Sequence, residues 1–239
     1  NRPKTDDVRK KPVVIMLRGY VDPSLYQTGI GTRNAAAVFA TNGYVTVAPD
    51  FLGYGESDPP DNDSFAARVQ RPVTVLDLIA SVKDLEFVDP DKIFLWGHSN
   101  GGHIAISILE ITQAAYPTTL WAPVTKPFPY SVLYYTDEYE DYGKRLRRAL
   151  AIFESVYDAD DYSITPYLDR IRAPLQLHQG GQDEPVPIEW SDSFVEQLEA
   201  VKGEDLELNY YRYPQADHNL RPNWNEVVQR DLEFFGEYL

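Results

Sequence analysis

The chain has 239 residues, a length that suits one large α/β domain. It contains no cysteine, which excludes a disulfide scaffold, a thiolate metal site and a cysteine nucleophile. Its 37 acidic against 22 basic residues give a net charge of −15, which argues against a nucleic-acid partner and against an anionic membrane surface.

The chain opens on Asn1 rather than Met, as a processed or trimmed form would. It shows no signal-peptide pattern, and no run approaches the roughly 18 apolar residues of a spanning helix. A secreted protein without its leader and a trimmed cytosolic enzyme fit equally well, and the oligomeric state is not legible. Val13–Leu17 is a short continuous apolar run, expected of a strand buried on both faces. Thr32–Asn42 is alanine-rich and ends before Gly43, a helix with its glycine stop. Val45–Ala48 reads as the next strand and runs into the glycine-punctuated loop Asp50–Gly55. Arg71–Val88 is expected to be a long helix with Pro72 in its first turn. Ile93–Trp96 is a strand, Ser99–Thr112 a helix, and Thr119–Ala122 another strand.

From Pro123 to Thr165 the rhythm breaks into tyrosine and charge, with one helix expected over Gly143–Val156. This segment is read as a small inserted lid within a single domain spanning 1–239, because it lacks an apolar stripe long enough to close its own core. Regularity resumes with the strand Leu175–His178, the helix Ile188–Lys202, the strand Leu206–Tyr213 and the closing helix Asn223–Leu239. Six strands alternating with helices predict an α/β fold: a mostly parallel sheet with right-handed crossovers, helices on both faces and a small helical insertion.

Gly97-His98-Ser99-Asn100-Gly101 matches G-x-S-x-G directly between a buried strand and a helix, the context of a nucleophile elbow. The glycines make room where helix presses on strand, and strain lifts the serine oxygen clear of the sheet. A serine hydroxyl needs a base to take its proton. His98 and His103 flank the elbow and are read as packing residues, and His178 at a strand end as a structural hydrogen-bonder. His218 lies in the polar loop 214–219 between the last strand and last helix, where a general base belongs. Asp183, in the glycine-led loop after the fifth strand, is the preferred orienting carboxylate over its competitors Glu184 and Asp217. Ser99, Asp183 and His218 then follow the chain order of nucleophile-elbow hydrolases. The oxyanion donors are expected to be the backbone N–H groups of Asn100 and Tyr20. Tyr20, Trp121, Tyr134 and Tyr135 are candidate substrate contacts.

The segments Ile15–Tyr20, Pro49–Ser57 and Gly97–Gly102, Asp183 with Val186-Pro187, and His218 together resemble the catalytic domain of prolyl-oligopeptidase-like α/β hydrolases and their dienelactone-hydrolase and esterase relatives. The resemblance runs from Pro12 onward and implies the α/β-hydrolase fold, the triad and hydrolysis of an acyl group. Arg18 stands where many relatives carry histidine, and residues 1–12 leave little room for the family's first strands.

Gly29-Ile30-Gly31 lacks the third glycine of a dinucleotide fingerprint, since Asn34 stands there. The acidic clusters 137–141 and 158–161 lack the alternation of a calcium loop. No cofactor and no metal are therefore expected. A small ester or short peptide is the expected substrate, and a complete triad argues against a silent binding module. The triad does not choose between ester and peptide bonds. An ester is favoured because no propeller to gate peptides and no second domain to anchor a peptide terminus is read in the chain.

Overall fold

The computed structural model describes residues 10–136, 139–205 and 207–239. Six parallel strands form one sheet: β1 (Lys11–Leu17), β2 (Val45–Val47), β3 (Val88–His98), β4 (Thr118–Trp121), β5 (Leu175–Gly180) and β6 (Leu208–Tyr213). Their spatial order is β2-β1-β3-β4-β5-β6, so β3 and its elbow sit near the centre. Leu206, expected to begin the last strand, lies outside the described residues, as do Asp137 and Glu138 of the first acidic cluster.

The strands are apolar on both faces because helices cover both. Val13, Ile15, Leu17, Leu95 and Leu177 pack into one core with Val75 and Ile79 of α2 (Ser64–Lys83), Ile104 and Ile108 of α3 (Asn100–Thr112), and Phe194 and Leu198 of α6 (Ile188–Lys202). Their neighbours along the strands, Val14, Met16, Phe94 and Trp96, point the other way. They meet Phe39 of α1 (Arg33–Thr41) and Phe234 and Phe235 of α7 (Trp224–Gly236). This alternation is the period-two geometry of a strand applied to two apolar faces.

One helix differs from its expectation. α2 begins at Ser64, not Arg71, because the Asp63 side chain accepts from the Phe65 and Ala66 N–H groups. Pro72 therefore lies inside the helix, where it removes the hydrogen bond to the Arg68 carbonyl four residues back. The helix ends at Lys83, and Val88 already belongs to β3.

Between β4 and β5 the chain forms two helices, α4 (Tyr130–Leu133) and α5 (Lys144–Glu154), followed by two short 3₁₀ turns. Val132, Leu146 and Leu150 pack with Phe65, so this excursion rests on the first turn of α2. Tyr135 donates to the Pro185 carbonyl (2.9 Å), and the Tyr134 ring lies 4.7 Å from that of Trp190.

Candidate active site

Ser99 joins β3 to α3 with φ 55° and ψ −120°, a backbone region that residues with a Cβ rarely occupy. The strain is held from both sides. The Ser99 N–H donates to the Trp121 carbonyl (2.9 Å), and the Val124 N–H donates to the Ser99 carbonyl (3.0 Å). The glycines make this turn possible: a Cβ on Gly101 would stand 1.9 Å from the Leu17 carbonyl oxygen, and one on Gly97 would stand 2.7 Å from that of Gly101. The β1–α1 loop crosses directly above, since a Cβ on Gly19 would lie 2.9 Å from the Ser99 Cβ. Tyr20 follows Gly19 in this loop, and its ring is 70% exposed.

Asp183 and His218 come together from loops 35 residues apart in sequence. His218 Nδ1 lies 2.9 Å and 3.0 Å from the two Asp183 oxygens. A nitrogen facing a carboxylate carries the proton, which leaves the Nε2 lone pair to accept another. Asp183 is itself fixed: Val186 N–H (2.8 Å) and Gln179 Nε2 (3.0 Å) donate to it, and Ser191 Oγ holds Gln179 in turn (2.8 Å). Gln179 and Ser191 were not found from sequence. Nothing local marks them, because their task exists only once β5 and α6 are packed. The two competitors are placed otherwise: Glu184 is exposed, and Asp217 accepts from the Asn219 and Arg221 N–H groups within the His218 loop.

The other histidines pack. His98 Nε2 donates to the His218 carbonyl (2.9 Å), so the residue before Ser99 steadies the His218 loop. Burial, and then the nearby His218, push His98 down to about 4, so it stays neutral near pH 7. His103 donates to the Val124 carbonyl (2.9 Å), and burial likewise lowers its pKa. His178 lies inside β5, bonded to Asp231 and to the Tyr213 hydroxyl. Arg18 is buried with its guanidinium over the Tyr54 and Tyr26 rings, 4.0 Å and 4.5 Å from their centroids, and it donates to the Gly19 carbonyl. It thus braces the first loop from beneath.

The residues expected to contact substrate are placed as follows. Trp121 is 3% exposed and its indole N–H donates to Asp231 (2.8 Å), so it belongs to the core on the α7 side of the sheet. Tyr134 and Tyr135 tie the insertion to Pro185 and Trp190, beside the Asp183 loop, and do not line the cavity between α2, α3 and the insertion. That cavity has a volume of about 360 Å³. Asn100, Arg68 and Arg71 are among its lining residues, and Phe128, Val132 and Phe153 are among those the insertion supplies.

Residues 31–239 match the model of the prolyl oligopeptidase family. The chain belongs to the prolyl oligopeptidase family. Its fold is accordingly that of the α/β hydrolases, within the serine hydrolase superfamily. A 94-residue stretch of this prolyl oligopeptidase family member is 32% identical to epoxide hydrolase 3 of Siraitia grosvenorii, covering 39% of the chain and 26% of that enzyme. Among solved structures, Est1E from Butyrivibrio proteoclasticus, with ferulic acid bound, superposes with a TM-score of 0.71 at 20% identity. That match covers 99% of this chain and 92% of Est1E. Dipeptidyl peptidase 4 of Porphyromonas gingivalis matches with a TM-score of 0.72 at 19% identity, over 99% of this chain but 32% of the peptidase.

Proposed function

We propose that the protein is a serine hydrolase of carboxylic esters that works through an acyl-enzyme. Ser99 Oγ attacks the ester carbonyl while His218 Nε2 takes its proton. Asp183 holds the imidazole in the required tautomer and stabilises the imidazolium that forms. The N–H groups of Asn100 and Tyr20 stabilise the oxyanion. The tetrahedral intermediate collapses as His218 returns the proton to the leaving alcohol. Water, deprotonated by the same base, then releases the carboxylic acid and restores Ser99. The observation that carries this reading is the His218–Asp183 pair, with both carboxylate oxygens at hydrogen-bond distance, in a fold whose elbow serine is strained.

The insertion 123–165 acts as a lid in this reading, with Phe128 and Val132 facing the acyl group. An ester is favoured over a peptide because the likeness to Est1E, whose bound ferulic acid is a carboxylic acid, runs through 92% of that chain. A serine peptidase is the second reading, and the family match favours it.

A panel of nitrophenyl esters beside aminoacyl anilides tests both. Ser99→Ala and His218→Ala are expected to lower ester turnover by about 10⁴ or more, and Asp183→Asn by about 10⁴, with melting temperatures retained. Glu184→Gln and Asp217→Asn should do far less. Ester turnover surviving in Ser99→Ala would refute the mechanism, and anilides cleaved in preference to esters would select the peptidase.

A further inference from the structure

We propose that Arg68 and Arg71 form a carboxylate-binding subsite, so that the preferred substrates are esters bearing a second, anionic group. The inference rests on the reading of Ser99 as nucleophile only for where the ester bond sits. Positions 68 and 71 are one helical turn apart and share a face of α2. Both side chains are half-buried and line the same cavity as Asn100, the residue directly after Ser99. Burial lowers the pKa of each, and Arg71 also feels the positive charges of Arg68 and Arg18. Guanidinium groups nevertheless stay charged.

Two like charges taken out of water call for an anion, and the described residues supply none. Ion pairs among the described residues include His178–Asp231, Arg212–Asp192, His218–Asp183 and Arg230–Glu226, none of which involves Arg68 or Arg71. The groups that act on Arg68 and Arg71 are the phenols of Tyr139, Tyr54 and Tyr20 and the neighbouring arginines, with no carboxylate among them. The acids of the cavity do not offset the pair. Glu110 lies ten residues along α3 from Asn100, about 15 Å away, and burial raises it to about 9, so it is uncharged at pH 7. Asp161 accepts from Tyr167, which sits beneath Arg170. A carboxylate can take parallel N–H bonds from a guanidinium fork. The apolar wall of Phe65, Val124 and Phe128 would strengthen that pairing by excluding water.

The test uses the full chain and two matched pairs of substrates. The first is mono-4-nitrophenyl glutarate against its methyl ester, with the charge on the acyl side. The second is 4-acetoxybenzoate against its methyl ester, with the charge on the leaving group. The wild type is expected to favour the charged member of at least one pair tenfold or more in kcat/KM, chiefly through KM. Arg68→Gln and Arg71→Gln should each cut that ratio at least tenfold, with Arg71→Lys intermediate. No preference in either pair overturns the proposal. Equal losses on charged and neutral esters also overturn it, since the arginines would then only join α2 to the insertion. Calorimetric binding of glutarate and of 4-hydroxybenzoate to Ser99→Ala separates the two readings. If the wild type cleaves none of the esters but one acid binds Ser99→Ala and fails to bind Ser99→Ala/Arg68→Gln, the subsite stands and the esterase reading falls. If neither acid binds Ser99→Ala, the subsite falls.

Discussion

Glu110 is the residue whose environment departs furthest from what its side chain wants. It is 4% exposed on α3, and burial raises its carboxyl from 4.5 to about 9. The folded state therefore holds a proton that the unfolded chain gives up above about pH 4.5. Stability from this group is complete below that point and is lost as the pH rises towards 9, at up to about 1.4 kcal/mol for each pH unit. His98 works in the opposite sense over a lower window. Its folded value of about 4 lies below the 6.5 of the free side chain, so stability falls as the pH drops from 6.5 to 4. Glu110→Gln removes the first dependence and keeps the shape. Melting temperatures of the variant and wild type, compared from pH 5 to 9, should diverge steadily in the variant's favour. A difference that stays constant over that range would show that Glu110 is ionised in the folded protein.

At the scale of elements, the elbow is set by backbone clearance more than by side-chain contacts. The contact that would face a Cβ on Gly101 is a carbonyl oxygen of β1 at 1.9 Å, and a strand in mid-sheet cannot withdraw. Gly101→Ala should therefore cost about 3 kcal/mol, the upper end for overpacking, and abolish activity, read as a fall in urea midpoint together with ester turnover. Near-native stability in this variant would mean that α3 can shift away from β1. The same locality explains what was legible in the sequence. The strand–turn–helix setting of Ser99 is legible because glycine, strand and helix signals all lie within a few residues of it. His218 and Asp183 could be read as a candidate pair because each sits in a polar loop at the carboxyl end of a strand. The start of α2 was misread because Pro72 looks like a first-turn proline, whereas the Asp63 carboxylate caps the helix a full two turns earlier. The roles of Gln179, Trp121 and Tyr135 were not legible, because each is defined by a partner 4 to 110 residues away that only packing brings near.

Across the whole molecule, the sheet separates two cores, and a polar centre fastens one of them. Asp231 on α7 is completely buried beneath β4 and β5. It accepts from Thr119 Oγ1, Trp121 Nε1 (2.8 Å), Gln176 Nε2 (3.0 Å) and His178 Nε2 (3.0 Å), so one carboxylate joins the closing helix to two strands. Its worth follows from what its removal leaves behind. Asp231→Ala strands four donors away from water, and breaking a buried charged network in this way costs about 3–5 kcal/mol. The same helix offers an internal comparison. Glu226 and Arg230 form an i,i+4 pair with the glutamate side chain 46% exposed, and such surface pairs contribute about 0–1 kcal/mol. Urea unfolding of Asp231→Ala and Glu226→Ala should therefore separate widely in midpoint, with similar m-values if both still unfold in two states. Equal midpoints would show that α7 is held by Phe234 and Phe235 alone, and that the polar centre only accommodates charge the apolar core has already trapped.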